Sequence, residues 1–266
     1  MIIDPDKIAA IIEKVAQTEI AARFGKLKDA DIDTKSGPND FVTQADHASE
    51  AALKRAFAGA YPGVTFIGEE SAAANPAILD ALRGDGAFWI VDPLDGTRNF
   101  VQQKEEFATI VAYVEDGVTR AGWIYAIPDK AFAIASSGDG ATWKGDQLGP
   151  LKENRGVVSG FRAIGNLAEP WSTEMVPKLR SSFVTQSARC AAYAYVHLLT
   201  GAKDFAIYSR CSPWDHAAGV LMLTEIGGRA EYLDTGDAYR PVATQGRPLL
   251  VAGNEPGFRR VADALR

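Results

Sequence analysis

The chain has 266 residues, 47% of them hydrophobic, with 28 Lys+Arg against 34 Asp+Glu and a formal charge of −6. That much apolar material supports a sizeable core, in one large domain or two packed lobes. The acidic balance argues against a general nucleic-acid binder, which needs a basic field to displace counterions. A small anionic substrate stays compatible with it, because bound cations invert local charge. The two cysteines, Cys190 and Cys211, form no C-x-x-C pair and no zinc-spaced Cys/His cluster, so reduced thiols are expected. The opening Met-Ile-Ile-Asp-Pro-Asp-Lys has no basic n-region or apolar h-region. No apolar run approaches the roughly 18–20 residues of a spanning helix. A soluble, cytoplasmic protein is the expectation.

Residues 6–24 carry Ile8, Ile11, Ile12, Val15 and Ile20 at helical spacing, with Pro5 suited to the first turn. The stretch 25–39 is polar, contains Lys35-Ser36-Gly37-Pro38-Asn39, and reads as loop. Thr43 is placed to cap a second helix over 44–59, with Asp46 in its first turn. Val64–Ile67 predicts a short buried strand leading into Gly68-Glu69-Glu70, and Ala87–Val91 another leading into Asp92-Pro93-Leu94-Asp95-Gly96-Thr97. Residues 107–115, 121–127 and 131–136 predict a meander, so the first half is α+β with an antiparallel sheet. From about 155, strands at 157–160, 183–185, 205–208 and 249–252 alternate with helices at 171–179, 190–200, 214–226 and 256–265, an α/β pattern. The expected organisation is an N-terminal α+β lobe, 1–150, and a C-terminal α/β lobe, 151–266, forming one unit around a shared cleft.

The chemistry concentrates at Asp92-Pro93-Leu94-Asp95-Gly96-Thr97. Two carboxylates three residues apart after a buried strand are costly unless something neutralises them. A Pro-fixed turn lets both converge on one point, with the Leu94 carbonyl between them, and hard divalent cations take oxygen ligands of these kinds. The N–H groups of Gly96 and Thr97, at a predicted helix start, suit an anion such as phosphate. A lone D-x-x-D is usually an acidic turn, adjacent glutamates such as Glu69-Glu70 are usually a solvated turn, and acids at helix starts such as Asp46 and Asp215 complement the dipole. Together they place five acids at the ends of elements, where a cleft collects ligands.

Four blocks in order resemble the inositol monophosphatase family of the fructose-1,6-bisphosphatase-like superfamily. They are Asp40-Phe-Val-Thr-Gln-Ala-Asp46, Phe66-Ile-Gly-Glu-Glu-Ser71, Trp89-Ile-Val-Asp-Pro-Leu-Asp-Gly-Thr97 with Asn99-Phe100, and Trp214-Asp-His-Ala-Ala-Gly219 with Gly227-Gly228. The resemblance implies a layered αβαβα sandwich, usually a homodimer, and magnesium-dependent, often lithium-sensitive hydrolysis of a small phosphomonoester. It implies two to three Mg2+ per subunit. Glu69, Asp92 and the Leu94 carbonyl would hold one ion; Asp92, Asp95 and Asp215 a second; a third would lie near Glu69. Gly96 and Thr97 would donate to phosphate, and Lys35 and Asp40 would match the mobile active-site loop. Thr97 oriented by Asp46, or alternatively Glu70, would take the proton of the attacking water.

The substrate side departs from the inositol-specific pattern. Tyr208 stands where an acid seven residues before the Trp-Asp aspartate binds sugar hydroxyls, and Arg189 and Arg210 replace small residues. Either the arginines are surface residues or the pocket has lost an acid and gained cations, which would favour a sugar bisphosphate or a nucleotide 3′-phosphate. A non-catalytic or moonlighting binding protein on the same scaffold is the rival of a different class.

Overall fold

The computed structural model describes residues 3–34, 41–165 and 167–266. The chain opens with helix α1 (Pro5–Val15), whose N-cap Asp4 accepts from the Asp6 and Lys7 amides. The sequence predicts an unbroken helix to residue 24; instead a π-helical turn, Ala16–Ile20, and a 3-10 turn, Ala21–Arg23, follow. The Thr18 hydroxyl bonds back to the Lys14 and Val15 carbonyls, a contact that bends helices. The wider turn keeps Ala16 and Ile20 on the buried face begun by Ile8 and Ile12.

A short antiparallel pair, β1 (Ile32–Thr34) and β2 (Phe41–Thr43), leads into α2 (Gln44–Ala60). Then come β3 (Thr65–Gly68), α3 (Glu69–Ala74), a 3-10 segment Pro76–Arg83, β4 (Ala87–Asp95) and α4 (Thr97–Val101). A meander follows: β5 (Ala108–Glu115), β6 (Val118–Ala126), β7 (Ala131–Ser136), β8 (Gly140–Trp143) and β9 (Asp146–Gln147). These strands form a seven-stranded sheet in sequence order β3 to β9, antiparallel except where β3 runs parallel to β4.

The rest comprises β10 (Ser159–Ala163), α5 (Trp171–Ser182), β11 (Val184–Ser187), α6 (Ala191–Leu199), β12 (Phe205–Cys211), α7 (Pro213–Glu225), β13 (Arg229–Tyr232), β14 (Thr244–Ala252) and α8 (Glu255–Leu265). Its five strands lie in the order β11-β10-β12-β14-β13, the first three mutually parallel and the others antiparallel. Sequence patterning missed β8, β9, β13 and the helix α3, and it read as loop the stretch that carries β1, missing the β1–β2 pair. It also ended β4 at Val91, four residues before the strand ends.

Side-chain alternation sorts the layers. Along β4, Trp89 and Val91 face α1 and α2, while Phe88 and Ile90 face α6 and α7. Along β12, Ala206 and Tyr208 join that same central core, while Phe205 and Ile207 pack against α5 and α8. The result is α1/α2, sheet, α6/α7, sheet, α5/α8: the expected layered αβαβα sandwich. No helix of the described residues is long and apolar enough to cross a membrane.

The middle layer is packed tightly. A Cβ on Gly219 of α7 would sit 2.2 Å from the Tyr195 ring of α6, and one on Gly122 of β6 would sit 2.8 Å from the Ala218 Cα. This close approach seats the start of α7, with Asp215, over the carboxyl end of β4.

Candidate active site

Pro93 has no N–H for the β4–β5 ladder, and the register shifts between Asp92 and Asp95. Such a bulge re-aims side chains. The Leu94 amide closes the turn onto Asp92 Oδ1 at 3.0 Å, and Thr109 Oγ1 donates to the Pro93 carbonyl at 2.8 Å. Both aspartates therefore lie inside the end of the strand, buried, rather than in a loop after it. Asp95 Oδ2 accepts from the Ala192 amide of α6 at 2.6 Å and lies 3.0 Å from Cys190 Sγ. Gly96 has φ +85, and a Cβ there would meet the Glu106 carbonyl at 2.7 Å, so this turn requires glycine.

Glu69 and Glu70 open α3 rather than forming a solvated turn, and Glu70 is buried. Their cap comes from α2: the Glu50 carboxylate accepts from the Glu70 amide at 2.7 Å and the Ser71 amide at 2.9 Å. Gly68 makes room for it, since a Cβ there would fall 2.3 Å from that carboxylate. Sequence reasoning missed Glu50; its signal is its place one turn after Asp46 on the same helix.

Thr43 and Asp46 form a capping box, with Asp46 Oδ2 accepting from the Thr43 amide at 2.8 Å and its hydroxyl at 2.7 Å. Asp46 Oδ1 lies 3.0 Å from Thr97 Oγ1, which is also 2.9 Å from the Leu94 carbonyl. Thr97 has one proton for these two acceptors, and a charged acceptor binds it more strongly.

These elements meet at a cavity of about 300 Å³ lined by Glu69, Asp92, Leu94, Asp95, Gly96, Thr97 and Asp215 together with Arg189, Tyr208 and Arg210. Asp46 and Glu70 stand behind the wall; Asp46 reaches the cavity through Thr97. Lys35 and Asp40 lie outside the described residues. Arg189 and Arg210 are exposed at the mouth. Tyr208 is 3% exposed, and its hydroxyl has no hydrogen-bond partner.

Burial raises the Asp95 carboxyl above its ordinary range, opposed by the bonds from Cys190 and Ala192 and reinforced by the charge of Glu69. Burial, then the charges of Glu69 and Asp95, push Asp215 well up, opposed by Arg210 and Ser212. Among the described residues, no group of three or more acidic, histidine or cysteine side chains is already placed to hold a metal ion. The donor set nonetheless fits a hard divalent cation: carboxylates and a carbonyl crowd one cavity, and a bound cation would offset the burial and mutual repulsion that raise Asp95 and Asp215. His216 also lines the cavity, with its ring nitrogens engaged by the Tyr195 hydroxyl and the Arg210 carbonyl. It is buried, lies 3.0 Å from the Tyr195 hydroxyl, and burial lowers it to about 4. Cys190 and Cys211 are both free and buried.

The family model of the inositol monophosphatase family matches residues 4–262. The chain belongs to that family. Inositol-1-monophosphatase of Bacillus subtilis (strain 168) is 35% identical over 205 residues, 74% of each chain. Histidinol-phosphatase of Mycobacterium tuberculosis is 33% identical over 219 residues, 80% of this chain and 81% of the relative. A lithium-soaked staphylococcal inositol monophosphatase-1 superposes with a TM-score of 0.82 at 22% identity, covering 98% of this chain and 94% of that one; it supports the fold. As an inositol monophosphatase family member, the chain is a phosphoric monoester hydrolase acting on a phosphorylated small molecule.

Proposed function

We propose that this chain is an inositol monophosphatase-like, magnesium-dependent phosphatase that uses water directly, without a phospho-enzyme. The observation that carries the reading is the convergence of Glu69, Asp92, Asp95 and Asp215, from three separate stretches of chain, on a cavity bordered by Gly96 and Thr97. Glu69, Asp92 and the Leu94 carbonyl would hold one Mg2+, and Asp92, Asp95 and Asp215 a second, with a third near Glu69. Bound in this way, divalent cations supply a nucleophile near neutral pH and neutralise phosphate charge. The Gly96 and Thr97 amides orient the phosphate. Thr97, donating to Asp46, has its oxygen lone pairs turned to the attacking water and passes the water's proton toward the carboxylate. Glu70, buried behind the wall, is the second candidate base. In-line displacement needs this positioning more than it needs a protein nucleophile.

On the substrate side, Tyr208, Arg189 and Arg210 offer a neutral hydroxyl and two cations where inositol-specific relatives present an acid. This favours a doubly anionic phosphomonoester over myo-inositol 1-phosphate. Lithium is expected to inhibit, and a cytoplasmic homodimer is the expected working form.

Phosphate release from a panel of phosphomonoesters tests the reading: myo-inositol 1-phosphate, fructose 1,6-bisphosphate, adenosine 3′,5′-bisphosphate, histidinol phosphate and glycerol 2-phosphate, each with and without magnesium. Turnover that needs magnesium and disappears in Asp95→Asn is the expected result. Bound magnesium with no turnover of any ester would favour a binding protein on this scaffold.

A further inference from the structure

Glu50 is a buried carboxyl that the proposed chemistry does not use. It lies on α2, one turn after Asp46 and on the same face. Its carboxylate gathers donors from α3: Oε2 accepts from the Glu70 amide at 2.7 Å, and Oε1 accepts from the Ser71 amide at 2.9 Å and from the Ser71 hydroxyl. These amides are the second and third of the helix, which a side chain at the residue before the helix ordinarily caps. That residue is Gly68, which has no side chain to offer. Glu50 fills the space such a side chain would need: a Cβ on Gly68 would fall 2.3 Å from the Glu50 carboxyl carbon and from Oε2.

The place of α3 gives this cap its consequence. β3 runs parallel to β4 with Gly68 beside Val91, so Glu69 follows the one as Asp92 follows the other, and both acids line the cavity. Glu69 is the first residue of α3, directly before the two amides that Glu50 holds. From one face, α2 therefore reaches two stretches of the cavity wall. Asp46 meets the Thr97 hydroxyl at 3.0 Å, and Glu50 meets the backbone that follows Glu69. A carboxylate set against the first amides of a helix also complements their partial positive charge.

We infer that Glu50 is a positioning residue for the metal site: it fixes the start of α3 so that the Glu69 carboxylate meets magnesium beside Asp92. The inference rests on the magnesium reading proposed above. Glu50 does not line the cavity itself and acts through the α3 backbone. Groups that orient a metal ligand from outside the coordination sphere carry weight in affinity, and losing one costs about 10–100-fold.

The test measures Mg2+ binding by calorimetry, and Tm without metal, in wild type, Glu50→Gln and Gly68→Ala, with Asp95→Asn as the control. Glutamine keeps the reach of the side chain but has one oxygen, so in either orientation its NH2 faces an amide of α3. Gly68→Ala keeps the Glu50 charge and displaces its carboxylate, the flexible end of the side chain, from those amides. Both variants should lower Tm and raise the Kd for Mg2+ by about tenfold or more; should one of them fail to fold, the other carries the comparison. A lower Tm with Kd within about twofold of wild type would leave Glu50 a structural cap and overturn the inference. A raised Kd in Glu50→Gln alone, with Gly68→Ala equal to wild type, would assign the effect to charge and overturn it as well. Either result leaves the metal-site reading standing as long as Asp95→Asn weakens binding. Mg2+ binding that Asp95→Asn leaves unchanged would remove that reading, and the inference with it.

Discussion

Replacing Asp46 by Asn separates the two candidate proton acceptors. Asp46 is fully buried and holds three donors, the Thr43 amide, the Thr43 hydroxyl and the Thr97 hydroxyl, at 2.8, 2.7 and 3.0 Å. An asparagine can face them in two ways. With its NH2 toward Thr43, two N–H groups would oppose each other, and a buried unsatisfied donor costs about 1–3 kcal/mol. The other arrangement prevails: the amide oxygen keeps Thr43 and the NH2 turns to Thr97. The Thr97 hydroxyl then accepts where it donated, and its proton moves to the Leu94 carbonyl, 2.9 Å away. Exchanging a charged for a neutral acceptor weakens the two remaining bonds by about 1 kcal/mol each. That sum lowers Tm by roughly 4–8 °C for a chain of this size. Activity should suffer more, because Thr97 loses its link to a carboxylate; general-base assistance is worth about 10²–10⁴ in rate. We expect kcat for phosphate release to drop at least about hundredfold with KM nearly unchanged. A kcat within about threefold of wild type, alongside the expected loss of Tm, would refute the reasoning. Asp46 would then be a helix cap alone, and the base would be Glu70.

Asp95→Asn should abolish the effect of magnesium on Tm while leaving the metal-free protein no less stable than wild type, because it removes a repelling charge and keeps an acceptor for the Ala192 amide; differential scanning calorimetry with and without magnesium reads both. The raised carboxyls of Asp95 and Asp215 bind protons more tightly folded than unfolded. Their contribution to metal-free stability is therefore full below their unfolded values and fades as pH rises through their raised folded ones, and magnesium should reverse that slope. His216 acts in the opposite sense: lowered from 6.5 to about 4, it contributes above 6.5 and its contribution is lost as pH falls toward 4. Wild type should therefore lose on the order of 3 kcal/mol more than His216→Phe between those limits in urea unfolding. Parallel curves for the two proteins would contradict the assignment. Gly219→Ala should lower Tm by several degrees, since its Cβ meets the Tyr195 ring at 2.2 Å and overpacking costs about 1–3 kcal/mol; an unchanged Tm would mean that α6 and α7 separate freely.

Much of the site was legible along the chain because its parts are local. Asp92, Leu94, Asp95, Gly96 and Thr97 lie within six residues, and one bulge and one left-handed glycine shape them. The Thr43–Asp46 capping box is likewise a four-residue motif, and the helix 214–226 ends one residue early on Gly227 at φ +84. What escaped involves partners distant in sequence. Glu50 meets Glu70 and Ser71 across 20 and 21 residues, and Asp95 meets Cys190 and Ala192 across 95 and 97. β13, a four-residue strand with only two buried positions, is too short for its alternation to stand out.

The sequence by itself determined the family, the chemistry of the ligands and the period of the principal elements, because donor type, turn residues and hydrophobic spacing are properties of neighbouring residues. Only the tertiary structure decided that Glu50 caps α3, that Cys190 and the Ala192 amide hold Asp95, and that Arg162, Arg180 and Arg210 line one concavity. Those relations depend on how the central helices pack between two sheets, and packing joins residues that no local pattern connects.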